Sequence, residues 1–157
     1  MYLADLMEKS EAGQFIVLSY LQQHSTSSLK DVMSETGFSK ATLTKYISLI
    51  NDKAMEHETA LSIQLLDETL SLSVGPDTKG RDIRRLFLDN AVKYQILDYL
   101  FYHQQFLAHQ LAQELMISEA TLGRHISGLN QILSEFDISI QNGRLKGPEH
   151  QIRYFYF

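Results

Sequence analysis

Two stretches of this chain repeat each other. Ser39-Lys40-Ala41-Thr42-Leu43-Thr44-Lys45-Tyr46-Ile47-Ser48-Leu49-Ile50-Asn51 returns 79 positions later as Ser118-Glu119-Ala120-Thr121-Leu122-Gly123-Arg124-His125-Ile126-Ser127-Gly128-Leu129-Asn130. Ser39, Ala41, Thr42, Leu43, Ile47, Ser48 and Asn51 are identical in both copies. The register holds back through Leu18/Leu97, Tyr20/Tyr99, Leu21/Leu100, His24/His103 and Glu35/Glu114. A period this long is the size of a small domain, so the chain is expected to hold two domains of one kind and not a solenoid. The expected division is 1–75 and 76–157, with a connecting helix at 81–90.

Each copy reads as an amphipathic helix. Leu122, Ile126 and Leu129 recur at i, i+4 and i+7, which places them on one buried face. Leu43, Ile47 and Ile50 do the same in the first copy. Ser39 and Ser118 are good N-caps, because a short hydroxyl accepts from the free N–H groups of the first turn. Thr36-Gly37-Phe38-Ser39 precedes the first copy as a tight turn. Gly37 suits a positive φ there, and Phe38 is expected beneath the turn. Met116 stands at the matching place in the second copy. Shorter helices come before each turn, at Leu29–Glu35 and Leu107–Leu115, and longer apolar helices before those, at Gln14–His24 and Val92–Gln104. Ser25–Ser28 reads as a polar turn. This order is a helix-turn-helix, twice.

After each copy the period changes to two. Leu61-Ser62-Ile63-Gln64-Leu65 and Leu70-Ser71-Leu72-Ser73-Val74 alternate apolar and polar residues, so they predict a hairpin. Phe136–Ile140 predicts a strand, with an Asn142-Gly143 turn leading back through Leu145 and Lys146. The expected fold is mainly α with small β-hairpin wings, as two tandem winged helix-turn-helix domains. Gly75–Gly80 breaks structure and is the expected domain boundary. Arg81–Asn90 resumes as a basic amphipathic helix, and the closing run Gln151–Phe157 is too aromatic to be left in water.

Composition excludes several classes. The chain has no cysteine, which removes disulfides and thiol chemistry and fits a reducing cytoplasm. The first residues do not form a signal peptide, and no apolar run is long enough to span a membrane. The six histidines show no paired ligand spacing, so neither a metal nor another cofactor is expected. The loop Gly75–Gly80 has two glycines at a phosphate-loop spacing but lacks the following Lys-Ser/Thr. No nucleophile elbow or carboxylate pair supports an enzyme. The net charge of −5 speaks against a nucleic-acid partner. It lies unevenly: residues 1–79 carry 6 basic and 11 acidic side chains, residues 80–157 carry 8 of each. Phosphate binding needs only a local basic face.

The run Ser118-x-x-Thr121-Leu122-x-Arg124-x-Ile126-x-x-Leu129-Asn130, with Ile138-Ser139-Ile140, Arg144-Leu145-Lys146-Gly147 and Gln151-Ile152-Arg153-Tyr154-Phe155, resembles the DNA-binding half of the Mga family. These are bacterial transcription regulators that include the AtxA and RofA-like proteins. The resemblance covers nearly the whole chain and is more specific in the second half. It implies two helix-turn-helix domains that bind promoter DNA in the cytoplasm, as part of a longer regulator with sugar-phosphotransferase regulatory domains. It makes a homo-oligomer plausible. Neither a membrane nor a small-molecule substrate is expected as a partner of this region.

In such a fold the early residues of the second helix reach base edges in the major groove. These are Lys40, Thr42, Thr44 and Lys45 in the first copy. In the second they are Ser118, Glu119, Thr121, Arg124 and His125. Arg124 can read guanine bidentately, whereas Glu119 is better explained as a carboxylate favoured at a helix N-terminus. Arg144 and Lys146 lie on the second wing, placed for backbone or minor-groove contact. The first wing offers Asp67 and Glu68 instead, which repel phosphate, so the second wing is expected to contribute more. The lysines also read as a solvated helix face, and Arg81, Arg84 and Arg85 equally well as a helix face between domains. The rival function is a protein-interaction or dimerisation module. It predicts no positive face spanning Lys45, Arg124 and Lys146.

Overall fold

The structure is a computed structural model and describes residues 3–89 and 91–156. Met1, Tyr2, Asn90 (the end of the expected 81–90 helix) and Phe157 lie outside the described residues. The chain is mainly helical with small antiparallel sheets, in agreement with the expected class. The described residues 7–89 form one compact unit, and residues 3–6 with 91–156 form another.

In the first unit the order is α1 (Lys9–Gln23), β1 (Thr26–Ser28), α2 (Leu29–Thr36), α3 (Lys40–Glu56), β2 (Leu61–Leu66), β3 (Thr69–Val74) and α4 (Gly80–Leu88). The buried side of α3 is Leu43, Tyr46, Ile47 and Ile50, closed by Val17, Leu18 and Leu21 of α1 and Val32 of α2. Gly37 ends α2 at φ +77° and donates its N–H to the Met33 carbonyl over 2.9 Å. Phe38 is half-buried and packs edge-on against Tyr46 at 5.3 Å.

The predicted hairpin is present, with strands one residue longer than expected and a two-residue turn. Asp67 and Glu68 both take positive φ, +53° and +59°, the geometry that matches a turn to the twist of its strands. The sheet order is β1-β3-β2. The Ser25–Ser28 stretch, expected as a polar turn, is therefore largely a strand, paired from Thr26↔Ser71 to Ser28↔Thr69. β3 had a free edge, and a polar tripeptide beside it satisfies that edge. Ser28 still caps α2, accepting from the Asp31 N–H at 3.1 Å. In α4, Ile83, Leu86 and Phe87 are buried within this same unit, and Arg81, Arg84 and Arg85 are exposed. Phe87 packs on Phe15 at 5.6 Å with the Lys53 ammonium 4.7 Å over its ring.

The second unit runs α5 (Val92–His103), α6 (Ala108–Glu114), α7 (Glu119–Leu133), β4 (Ser139–Gln141), β5 (Arg144–Lys146) and α8 (Glu149–Tyr156). Its core joins Ile96, Leu97, Leu100, Leu111, Leu122, Leu129 and Leu133 with Leu6 from a short 3-10 turn at Leu3–Leu6. β4 and β5 pair from Ser139↔Lys146 to Gln141↔Arg144. Asn142 and Gly143 make the predicted turn, at φ +52° and +75°. Only glycine fits the second place: a Cβ on Gly143 would stand 2.1 Å from the Phe106 carbonyl oxygen. The strand predicted from Phe136 starts later. Ser134–Phe136 is a 3-10 turn and Asp137 takes φ +58°, which bends the chain away from α7 before β4 begins. The aromatic tail is a helix, α8. Its Ile152 and Phe155 pack on the core, Phe155 lies 5.2 Å from Phe136, and the Tyr156 hydroxyl donates to the Leu97 carbonyl at 2.9 Å.

Candidate nucleic-acid interface

The candidate residues sit on the outer faces of α3 and α7 and on the second hairpin. Both helices begin with the same device. The Ser39 hydroxyl accepts from the Thr42 N–H at 3.2 Å and donates to the Thr42 hydroxyl at 3.0 Å. The Ser118 hydroxyl accepts from the Thr121 N–H at 3.1 Å and donates to the Thr121 hydroxyl at 2.9 Å. Such caps satisfy first-turn donors that have no partner inside the helix.

Beyond the cap the copies diverge. In α7, Arg124 Nη2 donates to the Thr121 hydroxyl at 3.2 Å, so Ser118, Thr121 and Arg124 form one chain of hydrogen bonds with the exposed guanidinium at its end. His125 is half-buried beside it in sequence. Glu119 lies 3.5 Å from His109 Nδ1, an ion pair when that imidazole is protonated. In α3, Lys40 is drawn to the wing tip, its ammonium 3.1 Å from Glu68 Oε1. Thr44 turns its hydroxyl back to the Lys40 carbonyl at 2.9 Å. Lys45 is exposed and has no ion-pair partner among the described residues. The structure thus brings Lys40 to the acidic turn 28 residues away and leaves Lys45 open.

On the second hairpin, Arg144 and Lys146 are both exposed, two residues apart on β5 and therefore on the same face. Arg144 Nε donates to Gln105 Oε1 at 3.0 Å. Among the described residues, no three His, Asp or Glu side chains are grouped to hold a metal, and no helix is long and apolar enough to cross a membrane.

Two residues outside the candidate set tie each helix to its hairpin. Asn51 Oδ1 accepts from the Ile63 N–H at 2.8 Å, and its amide donates back to the Ile63 carbonyl at 2.9 Å. Asn130 does the same to Ile140, at 2.6 and 3.2 Å. Each asparagine stands where another strand would, closing the strand edge and setting the wing against the helix. The signal was present in the sequence, since Asn51 and Asn130 are a repeated pair, but a polar residue late in a helix does not announce a strand partner. The repeated Tyr20/His24 and Tyr99/His103 pairs are structural too: the rings stack at 4.4 and 4.0 Å, with His Nδ1 on the tyrosine carbonyl.

The family model described as the Mga helix-turn-helix domain matches residues 76–157, more than half of the chain. A protein of Streptococcus pneumoniae serotype 4, described as "Putative trans-acting regulator", is 29% identical over 73 residues, which are 45% of this chain and 15% of that protein. The chain therefore spans a small part of its relative. Among solved structures, ScpB from Mycobacterium tuberculosis has a TM-score of 0.38 at 11% identity, covering 94% of this chain and 97% of its own. A conserved hypothetical protein from Chlorobium tepidum has a TM-score of 0.35 at 13% identity, covering 94% and 99%. Likeness of that degree carries no weight for fold or function.

Proposed function

The chain belongs to the Mga helix-turn-helix family, and from that premise we propose that it is the double-stranded-DNA-binding part of a transcription regulator. The proposal includes its organisation as two tandem winged helix-turn-helix domains, expected at 1–75 and 76–157 with α4 of the connecting segment packed in the first unit, a cytoplasmic location, a regulatory and non-catalytic role, and assembly as a homo-oligomer. The observation that carries it is the Ser118–Thr121–Arg124 chain at the start of α7. A helix N-terminus with a buttressed, exposed guanidinium is what a major-groove reader presents to guanine. The description of the pneumococcal relative, a trans-acting regulator, agrees with it.

The base-edge candidates are Lys40, Thr42, Thr44, Lys45, Ser118, Thr121, Arg124 and His125. Arg144 and Lys146 are assigned to the sugar-phosphate backbone. Among the first-copy residues, Lys45 is favoured, because Lys40 and Thr44 are engaged within the protein. A second reading attaches to the first unit. Its wing tip pairs Asp67 and Glu68 with an exposed Leu66, a surface better suited to a protein than to phosphate.

The test is selection from random duplex DNA at two salt concentrations, with sequencing of the bound fraction. Enrichment of a motif together with a steep fall of affinity with salt is expected. No binding even at low salt would sink the DNA reading and leave the interaction module.

A further inference from the structure

The second wing borders a polar pocket of about 380 Å³, lined by His103, Gln104, Gln105, Arg144, Leu145 and Lys146. Two permanent cations line it and no carboxylate does, in a chain of net charge −5. Arg144 is held there by one edge: Nε donates to Gln105 Oε1 at 3.0 Å, and Nη2 donates to the same oxygen. A guanidinium has five N–H donors, so this bond fixes the plane and leaves donors for a ligand. Lys146 leaves β5 on the same face as Arg144. The wall at His103 is rigid, with its ring stacked on Tyr99 at 4.0 Å and Nδ1 on the Tyr99 carbonyl at 3.1 Å. The first unit repeats the stacked histidine, but its wing turns through Asp67 and Glu68 and offers no such pair of cations.

We propose that this pocket is a phosphate-binding site in which Arg144 and Lys146 share a single phosphate group, with Gln105 as the residue that orients Arg144. An oriented guanidinium and a mobile ammonium are complementary on one phosphate: the first sets direction, the second adds charge. The proposal rests on the DNA reading for the source of the phosphate, a backbone diester. The pocket chemistry is that of any phosphate group.

Two arms test it. In the first, inorganic phosphate is titrated into the isotope-labelled chain and the Arg144 Nε–H resonance is followed. A saturable shift is expected, weakened several-fold in Gln105→Ala and in Lys146→Gln, both of which keep the Arg144 reporter. No shift in the wild-type chain overturns the pocket, and an unaltered affinity in Gln105→Ala overturns the orienting role. In the second arm, duplex binding is measured against salt. Each neutralised phosphate contributes about 0.9 to the slope of log affinity on log salt. Sharing predicts that the double variant, Arg144→Gln with Lys146→Gln, lowers the slope by about 0.9 and either single variant by less, because the cation that remains still neutralises the phosphate. A drop of about 1.8 in the double variant means two separate phosphates and overturns sharing. The arms also separate the sources. A phosphate shift in a chain that binds no duplex keeps the pocket as a site for a free phosphate group and sinks only the DNA reading. Duplex binding with no phosphate shift, and with the full slope kept in the double variant, sinks only the pocket.

Discussion

Met116 shows how a single residue departs from its repeat partner. It takes the left-handed place that Gly37 fills in the first unit, at φ +59°, and its side chain is 90% exposed. Nothing is gained by packing to offset the conformation. Met116→Gly is therefore expected to stabilise the second unit by about 1 kcal/mol, measured by urea unfolding. An unchanged or lowered midpoint would mean that the methionine makes contacts in solution that offset its φ. Gly37→Ala should act in the opposite direction, for the same reason. Arg124 is the residue on which the functional reading turns. Its guanidinium is already oriented by Thr121, so little ordering remains to be done on binding. Arg124→Ala is expected to cost roughly 1–3 kcal/mol on the selected motif and much less on random duplex. Equal losses on both would reassign Arg124 to the backbone.

At the scale of elements, the coupling of helix to wing is the main finding. Ile140 is buried, and its N–H and C=O both depend on Asn130. Buried backbone groups left without partners cost free energy, so Asn130→Ala is expected to destabilise the second unit by roughly 1–3 kcal/mol, read by chemical denaturation. Asn51→Ala should behave alike in the first unit through Ile63, and a loss in one copy without the other would break the equivalence. The second element-scale device is the docking of α8. Burial, with Asp98 nearby, raises the Tyr156 hydroxyl from 10.0 to about 12. The folded state therefore keeps its phenolic proton where the unfolded chain has lost it. Between these two values the native state binds more protons, so stability falls as pH rises from about 10 to about 12. Below that window this group contributes no pH dependence. Unfolding midpoints followed across the window should show the fall, and Tyr156→Phe should remove this component of it. An identical alkaline profile in the variant would place the effect elsewhere.

Over the whole molecule, the two units put similar helices to unlike electrostatic use. The first spends Lys40 on Glu68, an exposed pair worth little to stability. The second keeps Arg124 and Arg144 on neutral partners, Thr121 and Gln105, so both charges remain for a ligand. Glu68→Gln is accordingly expected to shift stability by no more than about 1 kcal/mol and to tighten duplex binding a few-fold at low salt. The gain should vanish at high salt, where exposed charges are screened. Unchanged affinity at low salt would indicate that the first wing does not face the DNA.

Much of this architecture could be read from amino-acid order because its signals are local. The capped helices, their buried faces, the left-handed turn at Gly37 and the Asn142-Gly143 hairpin each depend on residues within a few positions of one another. The mainly helical class and the family resemblance follow from the same local patterns. What escaped reading was non-local. β1 is a strand because β3 has an edge to fill, and its own sequence carries no alternation. The tail becomes α8 because Ile152 and Phe155 find a core surface to cover. Lys40 meets Glu68, Arg144 meets Gln105 and Asn130 meets Ile140 across 28, 39 and 10 residues of chain. Side chains that pair over such separations are selected by where the backbone has been placed, and periodicity holds no record of that. The candidate residues were thus nameable from sequence, but which of their charges remain free for a ligand was settled by folding.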